Sequence, residues 1–553
     1  MTANNKNSNN GTTPWWKGAV VYQIYPRSYL DTKGSGIGDL DGIRRKLDYI
    51  ADLGVDAIWL SPIFPSPNRD FGYDVSDYCG VAPEMGDLDG FDRLLAEAHE
   101  RGLKLILDQV LAHSSDQHAW FGESLLSRDN DKADWYVWAD AKADGTPPNN
   151  WMSAFGGPAW SWHPLRRQYY HHKFLKQQPK LNFHEPAVVK ALMDVLRFWL
   201  DRGVDGFRLD VAHAYIHDAQ LQDNPPTPMD DRTWLDWAHA PRLQQHVHDS
   251  GLADNRWAME QVRAVMNEYP DRMAFGEFAE TPKMIGTYAG EPDRLHSAYT
   301  FDFLEDRSLA PSLFENYYSD VIGGDKGPWP CVTFSNHDIT RPVTRWGGGK
   351  GDREGDDDLA KFGIALLLGL KGTALMYQGE ELGLPDVDLG PEDICDPVGD
   401  LYFPYGKGRD GCRTPMPWAA DEAGAGFTTG RPWLPIPEYH LDRAVGQQLG
   451  DSSSVLSFTR SVIAFRKTQK ALRAGDIKFL TIDGILAFER SLDGERVLCL
   501  FNSGTKPVSI PTDVAKMLSS GEWGEPLFEL GRLESADGTV TMPPRGAFFF
   551  RRA

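Results

Sequence analysis

The sequence predicts an α/β chain: a closed (β/α)8 TIM barrel with a loop-rich insertion after its third strand and a C-terminal antiparallel β-sandwich. Three observations predict it. Short apolar runs alternate with amphipathic helical stretches through most of the chain, the signature of a parallel sheet covered on both faces. Eight such runs can be read, which suits closure into a barrel, with an open doubly wound sheet as the alternative. After the last long helix the pattern changes to strand-like runs separated by turn dipeptides such as Asp483-Gly484 and Asp493-Gly494.

The elements follow in order. Candidate strands lie near 19–25, 57–61, 104–110, 206–211, 274–278, 298–303, 330–335 and 373–378. The helical stretches 39–53, 87–101 and 186–202 end at Gly54, Gly102 and Gly203, where the chain turns into the next apolar run. About ninety residues separate the third strand from the fourth, and residues 111–185 are rich in Trp, His, Asn, Pro and Gly, which reads as an excursion above the barrel. A second loop-rich stretch covers about 380–440. The predicted organisation is a polar tail over 1–14, a barrel from 15–110 and 186–470, an inserted domain over 111–185 and the β-sandwich over 471–553.

Composition narrows the function. Charged residues make up 25% and hydrophobic residues 41% of the 553, with no apolar run long enough for a membrane span, so no membrane partner is expected. A formal charge of −22 repels phosphate backbones, so nucleic acid is not an expected partner either. The Asn-rich start lacks the pattern of a secretory signal, and the five cysteines, an odd number without metal spacing, read as reduced thiols. A cytoplasmic location is the expectation. The 18 tryptophans and 19 tyrosines supply platforms for sugar rings, although core packing uses the same residues.

Ionisable residues stand at the C-terminal ends of several candidate strands: Asp108 and His113, Arg208 and Asp210, Glu277, then His337 and Asp338. In a barrel these ends converge on one face, so Asp210, Glu277 and Asp338 would meet in one pocket. Glycoside cleavage needs such a set, with one carboxylic acid to protonate the leaving oxygen and one carboxylate opposite. A separation of about 5–5.5 Å gives retention of anomeric configuration, and roughly 6.5–9.5 Å gives inversion. Arg208, two residues before Asp210 on one strand face, would orient that carboxylate, while Glu277 would need a drier or more negative setting to stay protonated.

The ordered strings Asp108-Gln109-Val110-Leu111-Ala112-His113, Gly206-Phe207-Arg208-Leu209-Asp210, Phe275-Gly276-Glu277-Phe278 and Ser335-Asn336-His337-Asp338 resemble the conserved regions of the α-amylase family, glycoside hydrolase family 13. Gly72-Tyr73-Asp74, Gln178-Pro179-Lys180-Leu181-Asn182 and Arg413-Thr414-Pro415-Met416 are similar to supporting strings of its α-glucosidase and oligo-1,6-glucosidase branch. The resemblance implies a retaining exo-acting α-glucosidase releasing glucose from short α-glucosides such as maltose or isomaltose. It implies Asp210 as nucleophile, Glu277 as acid then base, and Asp338 on the sugar hydroxyls. His113 and His337 would bond the same ring, Asp74 and Arg413 would pair at the pocket floor, and Phe155 and Tyr73 would be ring platforms. An α-transglucosylase with the same intermediate is one alternative, and a non-catalytic partner-binding relative is a remote second.

Departures from the family pattern matter. Ala112 stands where many relatives place a calcium-binding Asn, so no metal or other cofactor is expected. In the loop Asp31 to Asp39, Lys33 and Ser35 occupy ligand positions, and the Lys33 ammonium is expected to bridge Asp31 and Asp39. Lys180 replaces the branch's usual acid, and Val211 after the nucleophile leans the linkage reading towards α-1,6 alongside α-1,4.

Overall fold

The computed structural model describes residues 13–229, 240–290, 292–322, 327–347, 356–519, 523–536 and 539–552. Apart from Thr13 and Pro14, the expected polar tail over 1–14 lies outside the described residues.

Eight parallel strands form the central sheet: β1 Val20–Ile24, β2 Ala57–Leu60, β3 Lys104–Gln109, β4 Gly206–Leu209, β5 Met273–Phe278, β6 Ser297–Thr300, β7 Cys331–Thr333 and β8 Thr373–Tyr377. Their order, β7-β8-β1-β2-β3-β4-β5-β6, places β8 beside β1 and so curls the sheet on itself. At the seam between β6 and β7, Ser297 Oγ donates to the Trp329 carbonyl at 2.6 Å and contacts Cys331 Sγ at 3.1 Å. The barrel is therefore the fold, and the open doubly wound sheet is not.

Local signals set the helices. Asp39 and Asp87 cap two of them by accepting from the Gly42 and Gly90 amides, and Gly54 ends the Leu47–Leu53 helix at φ +90°, a conformation that suits glycine. The outer faces of the strands and the inner faces of these helices share one large core, with Ile58, Leu60, Leu105, Leu107, Phe207 and Leu209 all buried. The barrel interior is filled by a second cluster including Val21, Trp59, Ile106, Phe275, Tyr299 and Leu375. Side chains two residues further along a strand point the same way. Val21 thus aims Gln23, Ile106 aims Asp108, and Phe275 aims Glu277 towards the open end.

Between β3 and β4 the chain builds a three-stranded antiparallel sheet from Trp138–Ala139, Gln168–His171 and Trp160–His163. Beyond the helices Val455–Thr468 and Lys470–Ala474, five antiparallel strands pack with a three-stranded sheet. One face of the larger sheet, with Phe488, Phe501 and Phe549, joins the barrel core, and the other, with Leu498, Leu500 and Phe548, packs with Ile510 and Met542 of the smaller sheet. The helix Thr512–Ser519, absent from the sequence reading, adds Ala515 to that layer. All five cysteines are free thiols, and among the described residues no helix is long and apolar enough to cross a membrane.

Candidate active site

The strand ends open into a cavity of about 720 Å³, within the range that holds a small ligand. Its lining includes Tyr73, His113, Phe155, Asp210, Glu277 and Asp338 from the sequence reading, together with Asp70 and Arg409. Behind the lining sits Arg208, fully buried on β4. Its guanidinium touches three carboxylates: Asp108 at 2.8 Å, Asp210 at 2.7 Å and Glu277 at 2.6 Å. Tyr299, at the end of β6, donates its hydroxyl to Glu277 Oε1 at 3.0 Å and lies 3.4 Å from Arg208 Nε.

Three acids on one cation cannot all ionise in a buried site without leaving net negative charge. Burial drives the Asp108 carboxyl up to about 6, with Arg208 opposing and Glu277 adding. Burial likewise pushes Asp210 well above the usual carboxylate range, again opposed by Arg208 and reinforced by Glu277. Burial thus favours the protonated form of Asp108 and of Asp210, and Arg208 opposes it at both. The sequence predicts a drier or more negative setting for Glu277; the structure buries it on the cation it shares with Asp108 and Asp210, with the Tyr299 phenol as a further partner.

The backbone next to Asp210 is strained. Val211 has φ +39°, a left-handed conformation disfavoured for a β-branched residue by about 1–3 kcal/mol, and its amide donates to Glu277 Oε2 at 3.2 Å. The following turn is held from outside by Lys180, whose ammonium donates to the Ala214 carbonyl and, at 3.1 Å, to the Tyr215 carbonyl. The residue that breaks the branch's pattern thus ties the end of the insertion to the turn after the nucleophile. Burial and nearby Lys173 bring its ammonium down to about 7, with Asp249 opposing. Lys180→Met would leave both buried carbonyls without this donor, at about 1–3 kcal/mol each, so its urea midpoint should fall well below that of Lys180→Arg.

Asp338 is gripped by Arg413 at 2.6 Å and by Arg409 at 3.3 Å. Burial opposes its charge and His337 faces it, but with His337 neutral the two guanidiniums hold the carboxyl well below the usual range. His337 is fully buried, stacked on Tyr73 with centroids 5.2 Å apart, and bonded to the Tyr73 hydroxyl at 2.5 Å and Gln23 Nε2 at 2.9 Å. Burial lowers it to about 3, with Asp338 partly opposing, and burial also lowers His113 to about 3, so both rings are neutral hydrogen-bonding groups at neutral pH. The Tyr73 hydroxyl also reaches Asp108 Oδ2 at 3.1 Å, linking His337 to the Arg208 cluster.

Two expectations are corrected. Asp74 and Arg413 do not pair. Asp74 is buried within its own turn, accepting from Ser66 Oγ and from the Arg69 and Asp70 amides at 2.8–3.0 Å, while Arg413 holds Asp338 and the His337 carbonyl. The acid–base pair in the cavity lining is instead Asp70 with Arg409, at 2.7 Å, and Asp396 holds Arg409 at 2.7 Å. Both acids and both arginines lie four residues apart in sequence, Asp70/Asp74 and Arg409/Arg413, so spacing alone does not choose between them. The Lys33 ammonium does not bridge Asp31 and Asp39; it donates to the Glu84 carbonyl at 2.8 Å. Asp31 instead accepts from the Lys33 and Gly36 amides and Thr428 Oγ1, and Asp39 from Thr32 and the Gly42 amide. Among the described residues, no group of three or more His, Cys, Asp or Glu side chains is arranged to hold a metal.

Sequence reasoning also missed Tyr299 as a site residue. It is an aromatic among carboxylates, and its signal was only its place at the end of a predicted strand.

Comparison with known proteins agrees with this geometry. Residues 23–475 match the family model described as "Alpha amylase, catalytic domain". The chain is 48% identical over 549 residues to a probable alpha-glucosidase of Rhizobium meliloti (strain 1021), covering 98% of this chain and 97% of that protein. It is 36% identical to an oligo-1,6-glucosidase of Heyndrickxia coagulans, covering 92% and 95% of the two chains. Among solved structures, an alpha-glucosyl transfer enzyme, XgtA, superimposes with a TM-score of 0.91 at 45% identity, covering 98% of this chain and 100% of that one. With its barrel, its acid cluster and these matches together, the chain belongs to the α-amylase family, glycoside hydrolase family 13.

Proposed function

We propose that the chain is a retaining, exo-acting α-glucosidase that removes glucose from the non-reducing end of short α-1,4 or α-1,6 glucosides. The observation that carries the reading is Arg208, one guanidinium bonded to both Asp210 and Glu277. With the Val211 amide also on Glu277, the two carboxyls are held on one cation beside the same cavity, an arrangement that supports a double displacement between them.

In this reading Asp210 attacks the anomeric carbon while Glu277 gives its proton to the departing glycosidic oxygen, so one C–O bond forms as the other breaks. The double displacement requires Asp210 ionised and Glu277 protonated, one proton between the pair. Water then enters on the vacated side, Glu277 removes its proton, and the glucosyl ester is cleaved with net retention. Asp338 and His113 hold the sugar's hydroxyls, with Tyr73 and Phe155 as ring platforms, while His337, expected on the same hydroxyls, is fully buried outside the cavity lining with both ring nitrogens engaged by Gln23 and Tyr73 and supports Tyr73 from behind. The Asp70–Arg409 pair, backed by Asp396, blocks extension beyond one terminal glucose, which supports exo action. Transfer to another hydroxyl acceptor is the second reading, favoured by the likeness to a structure named as an alpha-glucosyl transfer enzyme.

A time course on maltose, isomaltose and related α-linked disaccharides, followed by NMR of the anomeric protons, tests this. α-Glucose should appear first, with transfer products rising at high substrate. Initial release of β-glucose would contradict retention, and no turnover of any α-glucoside would refute the function.

A further inference from the structure

Glu280 lines the same cavity three residues beyond Glu277, and among the described residues its carboxylate has no hydrogen-bond partner. It is partly buried, and burial pushes its carboxyl above the ordinary range, with Lys173 opposing. The neighbouring cations are engaged elsewhere. Lys173 is paired with buried Asp249 at 2.8 Å, and His246 bonds Asp249 at 3.1 Å through Nδ1 and the Pro241 carbonyl at 3.0 Å through Nε2. The carboxylate lies against Gly251, where an added Cβ would meet Glu280 Oε1 at 2.3 Å, so only glycine leaves it this position.

A part-exposed carboxylate on an open cavity, with no protein donor, keeps its acceptor capacity for water or for a ligand that displaces that water. Glu280 stands just past the end of the strand that carries Glu277, on the same cavity, and the proton donor is the group that faces the departing oxygen. Val211, Ala279, Phe174 and Ile339 give the lining apolar surface, and Arg242 and Ser250 add polar groups to it. We infer that Glu280 selects the leaving group and the acceptor: it accepts hydrogen bonds from hydroxyls of a neutral sugar or polyol bound beside Glu277. This rests on the α-glucosidase reading and specifies the class of molecule on the far side of the scissile bond.

The test compares kcat/KM for maltose and isomaltose with that for 4-nitrophenyl α-glucoside, whose leaving group has no hydroxyl donors beyond the scissile oxygen. In Glu280→Ala the disaccharide-to-aryl ratio should fall at least about tenfold, the loss of a charge-assisted hydrogen bond, and in Glu280→Gln by less. An unchanged ratio, including equal losses on both substrates, would overturn the assignment. The wild-type enzyme gives a second measurement that needs no variant. At equal acceptor concentration, transfer to glycerol should exceed transfer to propan-1-ol about tenfold, and equal transfer would overturn the proposal. Wild-type turnover of the aryl glucoside separates the outcomes: if it is present and the ratio holds, only the Glu280 assignment fails, whereas its absence removes the underlying function.

Discussion

Asp210→Asn should lower kcat on an aryl α-glucoside by about 10⁵-fold while leaving the fold intact, because the amide cannot form the glucosyl ester. Asn retains the side-chain oxygen that accepts from Arg208 Nη1, where the carboxylate bond measures 2.7 Å, so the cluster keeps its geometry and loses one negative charge. Three buried acids compete for one guanidinium, and removing one charge relieves that competition. The variant should therefore melt no lower than the wild type. A small loss of rate would move the nucleophile's role to another carboxylate, while a large loss accompanied by a lower melting temperature would make Asp210 structural.

Replacing Arg208 has the second large effect, in stability as well as rate. Arg208→Met strands Asp108, Asp210 and Glu277 in the barrel mouth without their shared cation. Breaking a buried ionic cluster in this way costs about 3–5 kcal/mol. The pH dependence has a definite sign. Asp108 already sits at about 6 in the folded protein, above its ordinary value, and removing the guanidinium that opposes this shift raises it further. A carboxyl raised on folding supports stability at pH below its unfolded value and loses that support as pH rises through its folded value. The deficit of Arg208→Met relative to wild type should thus be small near pH 4 and grow towards neutrality, as measured by urea midpoints across that range. A deficit independent of pH would mean that the arginine acts through packing alone.

Much of this was legible in the sequence, for identifiable reasons. All eight strands fall where the apolar runs predicted, because a parallel barrel buries both strand faces and so writes them as continuous hydrophobic segments. Asp210, Glu277 and Asp338 could be found because strand ends converge whatever the details of the loops. The floor of the pocket could not be found this way. Choosing Asp70 over Asp74 and Arg409 over Arg413 depends on how two irregular loops fold against each other, and turn hydrogen bonds hide Asp74 while leaving Asp70 free to meet Arg409. Lys33 failed for a related reason: a flexible ammonium finds the nearest carbonyl, here Glu84, while backbone amides satisfy the acids beside it. Lys180 was visible as a departure from pattern, but its task of holding the turn after Val211 depends on the insertion docking onto the barrel. Glu280 carries no motif, and only the structure shows that it faces an open cavity with no hydrogen-bond partner among the described residues.

The central claim is that the side chain of Asp210 becomes covalently bonded to glucose. Incubation with a slowly hydrolysed 5-fluoro-α-glucosyl fluoride, rapid denaturation, proteolysis and peptide mass spectrometry test it directly. One fluoroglucosyl group per chain, esterified to Asp210, is the predicted result. Modification of a different carboxylate, or full turnover with no trapped ester, would contradict the account.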